Sequence, residues 1–164
     1  TTSETIRQSL ETAREIGVDY VLGGRDLDLA REILDDGLSR YFPFPGTPRG
    51  HPTKLGGAAG DIARDCAVFA EAGCPGVDLL AYRAVDADPL ELVRAARESL
   101  GQRELIVAGS VDSRERIHAL AKAGADAFTI GSAIFDGSFS PTKGSFLSQI
   151  HDVLEACANA PQAA

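Results

Sequence analysis

"IVAGSVDSRERIHALAKAGADAFTIGSAIF", residues 106–135, holds two short apolar runs that each end in Gly-Ser. One helix's length of sequence separates them. Its apolar positions recur at helical spacing, and Gly124 follows where a left-handed residue would stop the helix. A strand, a helix and a second strand in that order read as parallel strands joined by a crossover. The runs are short and nearly continuous, as in strands covered on both faces.

The same phrase recurs upstream. "AREIGVDYVLGG" starts at Ala13 and "AEAGCPGVDLLAY" at Ala70, beside "AKAGADAFTIGS" at Ala121. Each is a helix end, a glycine, an aspartate and an apolar run. Asp19, Asp78 and Asp126 fall at the strand entries, where capping or solvation of the turn is the plain expectation. Strands are expected near 18–23, 40–44, 77–82, 104–109 and 127–131. Helices are expected over 3–16, 27–36, 59–72, 89–100, 113–123 and 146–158. The first presents Ile6, Leu10, Ala13 and Ile16 on one face. Thr1 with Glu4, and Asp112 with Glu115, have capping-box spacing. Asp26 reads as an N-cap and Gly37 as a helix stop. Asp88 before Pro89 reads as an N-cap with proline in the first turn.

Strict alternation predicts an α/β fold with a parallel sheet and right-handed crossovers. One form is a parallel (β/α) barrel, here a partial barrel of about strands 4–8. The alternative is a five-stranded, doubly wound open sheet. One domain is expected over 1–158, with a frayed tail at 159–164. A five-strand arc cannot close, so the chain is expected either to be shortened at its N-terminal side or to close by assembly with another copy.

The net charge of −8 among 164 residues argues against non-specific nucleic-acid binding. No apolar run is long enough for a membrane span. Cys66, Cys74 and Cys157 form no CxxC pair and read as reduced thiols acting as small buried apolar residues, which suits a cytoplasmic protein.

In both architectures ligands gather at the carboxyl ends of the strands. Gly109-Ser110 and Gly131-Ser132 both lie there. Glycine lets the backbone approach a ligand, and the amides beyond it can point at an anion. Two such turns on successive units therefore suggest a phosphate cup. The stretch 106–135 resembles the last two units of the ribulose-phosphate-binding group of barrels. That group includes histidine-biosynthesis isomerase barrels, N-acetylmannosamine-6-phosphate 2-epimerase, thiazole synthase and hexulose-6-phosphate synthase. The resemblance is clear over about 104–136 and weaker over 66–103. It implies a (β/α)₈ fold with phosphate held by Gly109, Ser110, Gly131 and Ser132. It does not fix the reaction, because lyases, isomerases, epimerases and synthases share the cup.

Other strand ends should carry the remaining chemistry. "FPFPGTPRGHPTKLGG", from Phe42, is stiffened by prolines and carries Arg49, His51, Thr53 and Lys54. It reads as a rigid rim loop suited to an anionic substrate, with Arg49 and Lys54 binding and His51 as acid or base. Tyr82 and Arg83 end the third run and can polarise a carbonyl or enolate oxygen, with Asp86 a candidate partner for Arg83. Gly23, Gly24 and Arg25 join the same rim. His118 and His151 fall on helices. None of Lys54, Lys122 and Lys143 falls within an expected strand, which removes a strand-borne Schiff-base lysine. His51 has no His or Cys at metal-ligand spacing, and no metal or cofactor is expected, with carboxylates from different strands left as the one open route to a metal. The short nucleotide and hydrolase signatures are missing.

Together these features predict an enzyme acting on a small phosphorylated sugar or keto-acid derivative, through lyase or isomerase/epimerase chemistry and an enolate-like intermediate. A non-catalytic sugar-phosphate sensor and a truncated barrel with an assembly role are the alternatives. A homo-oligomer is the expected state.

Overall fold

The computed structural model describes residues 3–35 and 37–161. Thr1 and the tail residues 162–164 lie outside the described residues, as does Asp36, the last residue of the expected second helix. In chain order the elements are α1 (Ser3–Ile16), β1 (Tyr20–Leu22), α2 (Leu27–Ile33), β2 (Arg40–Phe42), β3 (Thr47–Arg49), β4 (Lys54–Gly56) and α3 (Ala59–Glu71). They continue with β5 (Gly76–Leu79), α4 (Pro89–Leu100), β6 (Glu104–Val107), α5 (Arg114–Ala123), β7 (Ala127–Phe128), α6 (Ser132–Phe135) and α7 (Phe146–Ala158). A short 3₁₀ turn, Ala81–Arg83, follows β5.

The parallel strands run in chain order. β1 pairs with β2, and β5 with β6 and then β7. The Asp78 amide donates to the Pro43 carbonyl at 3.0 Å and joins the two groups. The order β1-β2-β5-β6-β7 has no reversal, so the described strands contain no switch point of the kind a doubly wound sheet needs. They form an open arc and no closed barrel.

Helices cover the convex face. Val77, Leu79, Leu105 and Val107 are fully buried in one cluster with α3, α4 and α5 residues such as Ile62, Leu92 and Ile117. A smaller cluster packs Leu10 of α1 and Leu29, Ala30 and Ile33 of α2 against Val21 and Tyr41. Alternation along the strands turns Phe42, Asp78 and Ile106 to the concave face. Arg40 of β2 and Glu104 of β6 pair across that face at 2.7 Å, with β5 between them.

The caps follow local chemistry. Asp26 accepts from the Leu29 amide, and Asp88 from the Leu90 and Glu91 amides ahead of Pro89. Ser113, rather than Asp112, caps α5 by accepting from the Arg116 amide. Asp112 turns to the Arg116 side chain at 2.6 Å instead. Asp126 does more than solvate a turn: its carboxylate accepts from the Leu105 amide at 2.7 Å and pairs with Arg97 at 2.9 Å.

Several expectations fail for physical reasons. The segment read as a rim loop folds at its centre into the antiparallel hairpin β3–β4. Lys54 therefore lies in a strand after all, as the exposed first residue of a hairpin strand outside the parallel arc; the next residue, Leu55, is buried in the main core. α2 stops at Ile33, before Gly37. Ile16 is 70% exposed, because nothing covers the end of α1. Tyr20 and Leu22 are 44% and 37% exposed, so β1 is not buried on both faces. It is the edge of the arc, and its concave side is open. Cys157 is exposed rather than buried, whereas Cys66 is fully buried. That burial pushes the Cys66 thiol up to about 12, which leaves it an inert apolar residue.

Candidate functional site

The loops that follow β6 and β7 converge on one cavity of about 570 Å³. Gly109, Ser110, Gly131 and Ser132 all line it, with Arg83 on its wall. The β6 loop is tightly wound: Gly109 has φ 78° and Ser110 has φ 59°. Two successive positive-φ residues bend the chain sharply where it leaves β6. Among the described residues the amides of Gly109, Ser110 and Val111 have no acceptor. Arg116 holds the loop by donating to the Ser110 carbonyl at 2.5 Å.

The two Gly-Ser turns are not equivalent. Gly131 has φ −135° and caps α6, and a methyl group placed on it would meet nothing within 4 Å. Gly109 is crowded by Arg83, whose Cδ would lie 2.9 Å from such a methyl. Only the first turn requires glycine on steric grounds.

The Arg83 amide donates to the Leu80 carbonyl at 2.9 Å, but its guanidinium makes no hydrogen bond or ion pair among the described residues, so its charge is available to the cavity. Asp86, the partner suggested by spacing, accepts instead from the Gly57 amide at 3.4 Å. The cavity also holds two carboxylates, both engaged. Asp112 is paired with Arg116, and Asp136 accepts hydrogen bonds from the Ser138 side chain and amide, which hold its carboxyl below the usual range.

The remaining candidates separate from the cup. Tyr82 lies outside the cavity: the 3₁₀ turn carries its ring onto the helix-side core, and Arg116 covers it at 4.6 Å. Burial raises its hydroxyl above the usual range. Arg49 and His51, both exposed, line a second cavity of about 840 Å³ with Gly23, Gly24 and Arg25. Lys54 lines neither cavity. His118 is engaged by the Ala156 carbonyl at 3.0 Å, and His151 is exposed on α7.

Phe44 borders both cavities. Its ring rests on the backbone of Gly23, where a methyl group would come within 2.9 Å of it. Among the described residues no cluster of His, Cys, Asp or Glu has the geometry of a metal site, and no helix is long and apolar enough to cross a membrane.

Solved structures share this architecture. Orotidine 5'-phosphate decarboxylase from Pyrococcus horikoshii OT3 superposes with a TM-score of 0.64 at 17% identity, over 96% of this chain and 69% of that one. The BexX/CysO complex of Amycolatopsis orientalis gives 0.62 at 19% identity, over 96% of this chain and 62% of that one. The FabK M276A mutant from Thermotoga maritima gives 0.55 at 18% identity, over 76% of this chain and 38% of that one. At such identities the likeness carries the fold alone: a TIM-barrel-like arc of parallel strands and helices. This chain spans under two thirds of the second and third of those chains. No family model and no curated protein matches the sequence.

Two features of the site were not legible beforehand. Asp78, read as a turn residue, sits inside β5 with 2% exposure and an unpartnered carboxylate oxygen. Burial pushes its carboxyl up to about 7, against the opposing pull of Arg83. Phe44 was read as the end of the strand expected at 40–44 and was given no part in the site, whereas it lies just past β2 and borders both cavities.

Proposed function

We propose that the chain is a phosphate-binding, barrel-type enzyme that acts on a small phosphorylated sugar or keto-acid derivative by lyase or isomerase chemistry. One observation carries the reading: two strand-end loops and an unpaired arginine meet on a single cavity. Gly109, Ser110, Gly131 and Ser132 hold the phosphate through backbone amides and hydroxyls, and Arg83 neutralises it. His51 is the acid/base candidate and Arg49 a substrate ligand, both on the walls of the neighbouring cavity. One structural neighbour carries the name of a decarboxylase of a phosphorylated compound, in keeping with this class. Open arc edges favour a homo-oligomer.

The test is the thermal midpoint against phosphate and a panel of sugar phosphates, for the natural chain and for Gly131→Val. A ligand at a hundredfold its dissociation constant adds ~2.7 kcal/mol, a shift of several degrees. Gly131 has open space around it, so valine should fill the cup without breaking the fold. A shift lost in Gly131→Val supports the cup. Shifts of equal size in both proteins place the anion elsewhere.

A second reading, a sensor that binds without turnover, draws on the position of His51 outside the cup. Turnover of any compound that binds would remove it.

A further inference from the structure

The cavity beside the cup has an unusual charge. The protein carries a net charge of −8. Yet the chamber formed by the end of β1, α1 and the β3–β4 hairpin has no aspartate or glutamate on its walls. Its ionisable lining is Arg25, Arg49, His51 and Tyr41. Arg25 is already engaged with Asp65 at 2.9 Å. Among the described residues neither the Arg49 nor the His51 side chain makes a hydrogen bond or ion pair, although the Arg49 backbone pairs with Lys54 in the hairpin. Burial holds the Tyr41 hydroxyl above its usual range, so it stays a neutral donor. Cations without carboxylates, in an acidic protein, form a site for a second anionic group.

This chamber and the phosphate cup share a wall. Phe44 is common to both, fixed by its amide donating to the Gly24 carbonyl at 2.8 Å and by its carbonyl accepting from Arg25 at 3.2 Å. A molecule anchored in the cup and running past Phe44 would bring its far end to Arg49 and His51. A planar guanidinium matches a carboxylate with two parallel hydrogen bonds.

We propose that the ligand has two acidic ends: a phosphate in the cup of Gly109 and Gly131, and a carboxylate held by Arg49 and His51 across Phe44. The substrate class is thereby narrowed to phosphorylated sugar acids or keto acids, an inference that rests on the phosphate reading of the cup.

The test compares matched pairs by calorimetric titration of the whole chain. 3-Phosphoglycerate is set against glycerol 3-phosphate, and 6-phosphogluconate against glucose 6-phosphate, with inorganic phosphate as the common reference. In at least one pair the carboxylate compound should bind 10-fold tighter or more. Arg49→Gln should cancel that difference, and His51→Gln should reduce it. Arg49 is exposed on the hairpin, so its replacement does not threaten the fold, and far-ultraviolet circular dichroism checks this. Equal affinities within both pairs, or a difference that survives Arg49→Gln, overturn the two-ended ligand while phosphate binding stands. Failure of inorganic phosphate and of all four esters to bind overturns the phosphate reading, and this inference with it.

Discussion

The guanidinium of Arg83 lies directly over Gly109, in the space that any larger residue at 109 would need. The two residues come from successive strand ends, so the contact ties the loop after β5 to the loop after β6. Gly109→Ala should therefore act twice. At φ 78° the new methyl strains the backbone, costing about 1–2 kcal/mol, which lowers the thermal midpoint by about 2–8 °C. It should also push Arg83 aside and weaken phosphate binding 10-fold or more. Calorimetric melting and titration separate the two effects.

Ser110 gives the opposite expectation. It is the one non-glycine residue with positive φ among the described residues. Ser110→Gly should relieve strain and raise stability by up to ~1 kcal/mol. If the hydroxyl holds the anion, phosphate binding should fall in the same variant. Greater stability with weaker binding would mark a residue kept strained for its ligand.

Asp78 predicts a pH dependence of known sign. Its carboxyl is raised from 3.8 in the unfolded chain to about 7 in the fold. The folded state therefore holds this proton through a range where the unfolded chain has released it. The contribution is most favourable below pH 3.8, falls as pH rises and levels off above about 7. The full swing is of the order of 4 kcal/mol. Asp78→Asn should flatten the stability profile in that window and melt higher than the natural chain at pH 8. An unchanged slope in urea denaturation across pH 4–7 would show that Asp78 titrates normally.

Asp126 joins three elements through one carboxylate, since it accepts from the Leu105 amide and from Arg97. Asp126→Ala should cost about 1–3 kcal/mol by leaving those donors unmet. Hydrogen exchange should rise first at the Leu105 amide. Protection there equal to that of the natural chain would show that the bond contributes little.

The edge strand predicts how copies associate. Tyr20 and Leu22 face the open side of the arc, and Leu22 is 37% exposed. If copies pair through this edge, Leu22→Lys should reduce the sedimentation coefficient to that of a monomer. An unchanged coefficient would locate the contact elsewhere, or show a monomer from the outset.

Where the sequence carried a repeated local signal, the fold could be read from it. The glycine-aspartate-apolar phrase located β1, β5 and β7, and N-caps such as Asp88 opened helices as expected. That Gly109-Ser110 and Gly131-Ser132 line one cavity was legible for the same reason, because both pairs end strands of a parallel sheet. What failed depended on distant contacts. The exposure of Ile16 and Tyr20 follows from where the arc stops, which no local pattern encodes. The hairpin β3–β4 was hidden by prolines at 45, 48 and 52, which argue for a loop unless the strands lie outside the main sheet. Tyr82 and Arg83 are neighbours in sequence, but the 3₁₀ turn sends them to different sides. Asp78 looked like Asp19 and Asp126, and only the register of β5 against β6 set it inside.

Arg25 reaches the carbonyls of Phe44 and Gly46 and the carboxylate of Asp65 on α3. The partition between the two cavities is thereby bolted to a helix before any ligand arrives. A molecule entering has little chain to organise, so it forfeits little conformational entropy on capture. Its rate of entry is then set by encounter and charge, slowing as salt screens the arginines, rather than by the opening and shutting of the protein.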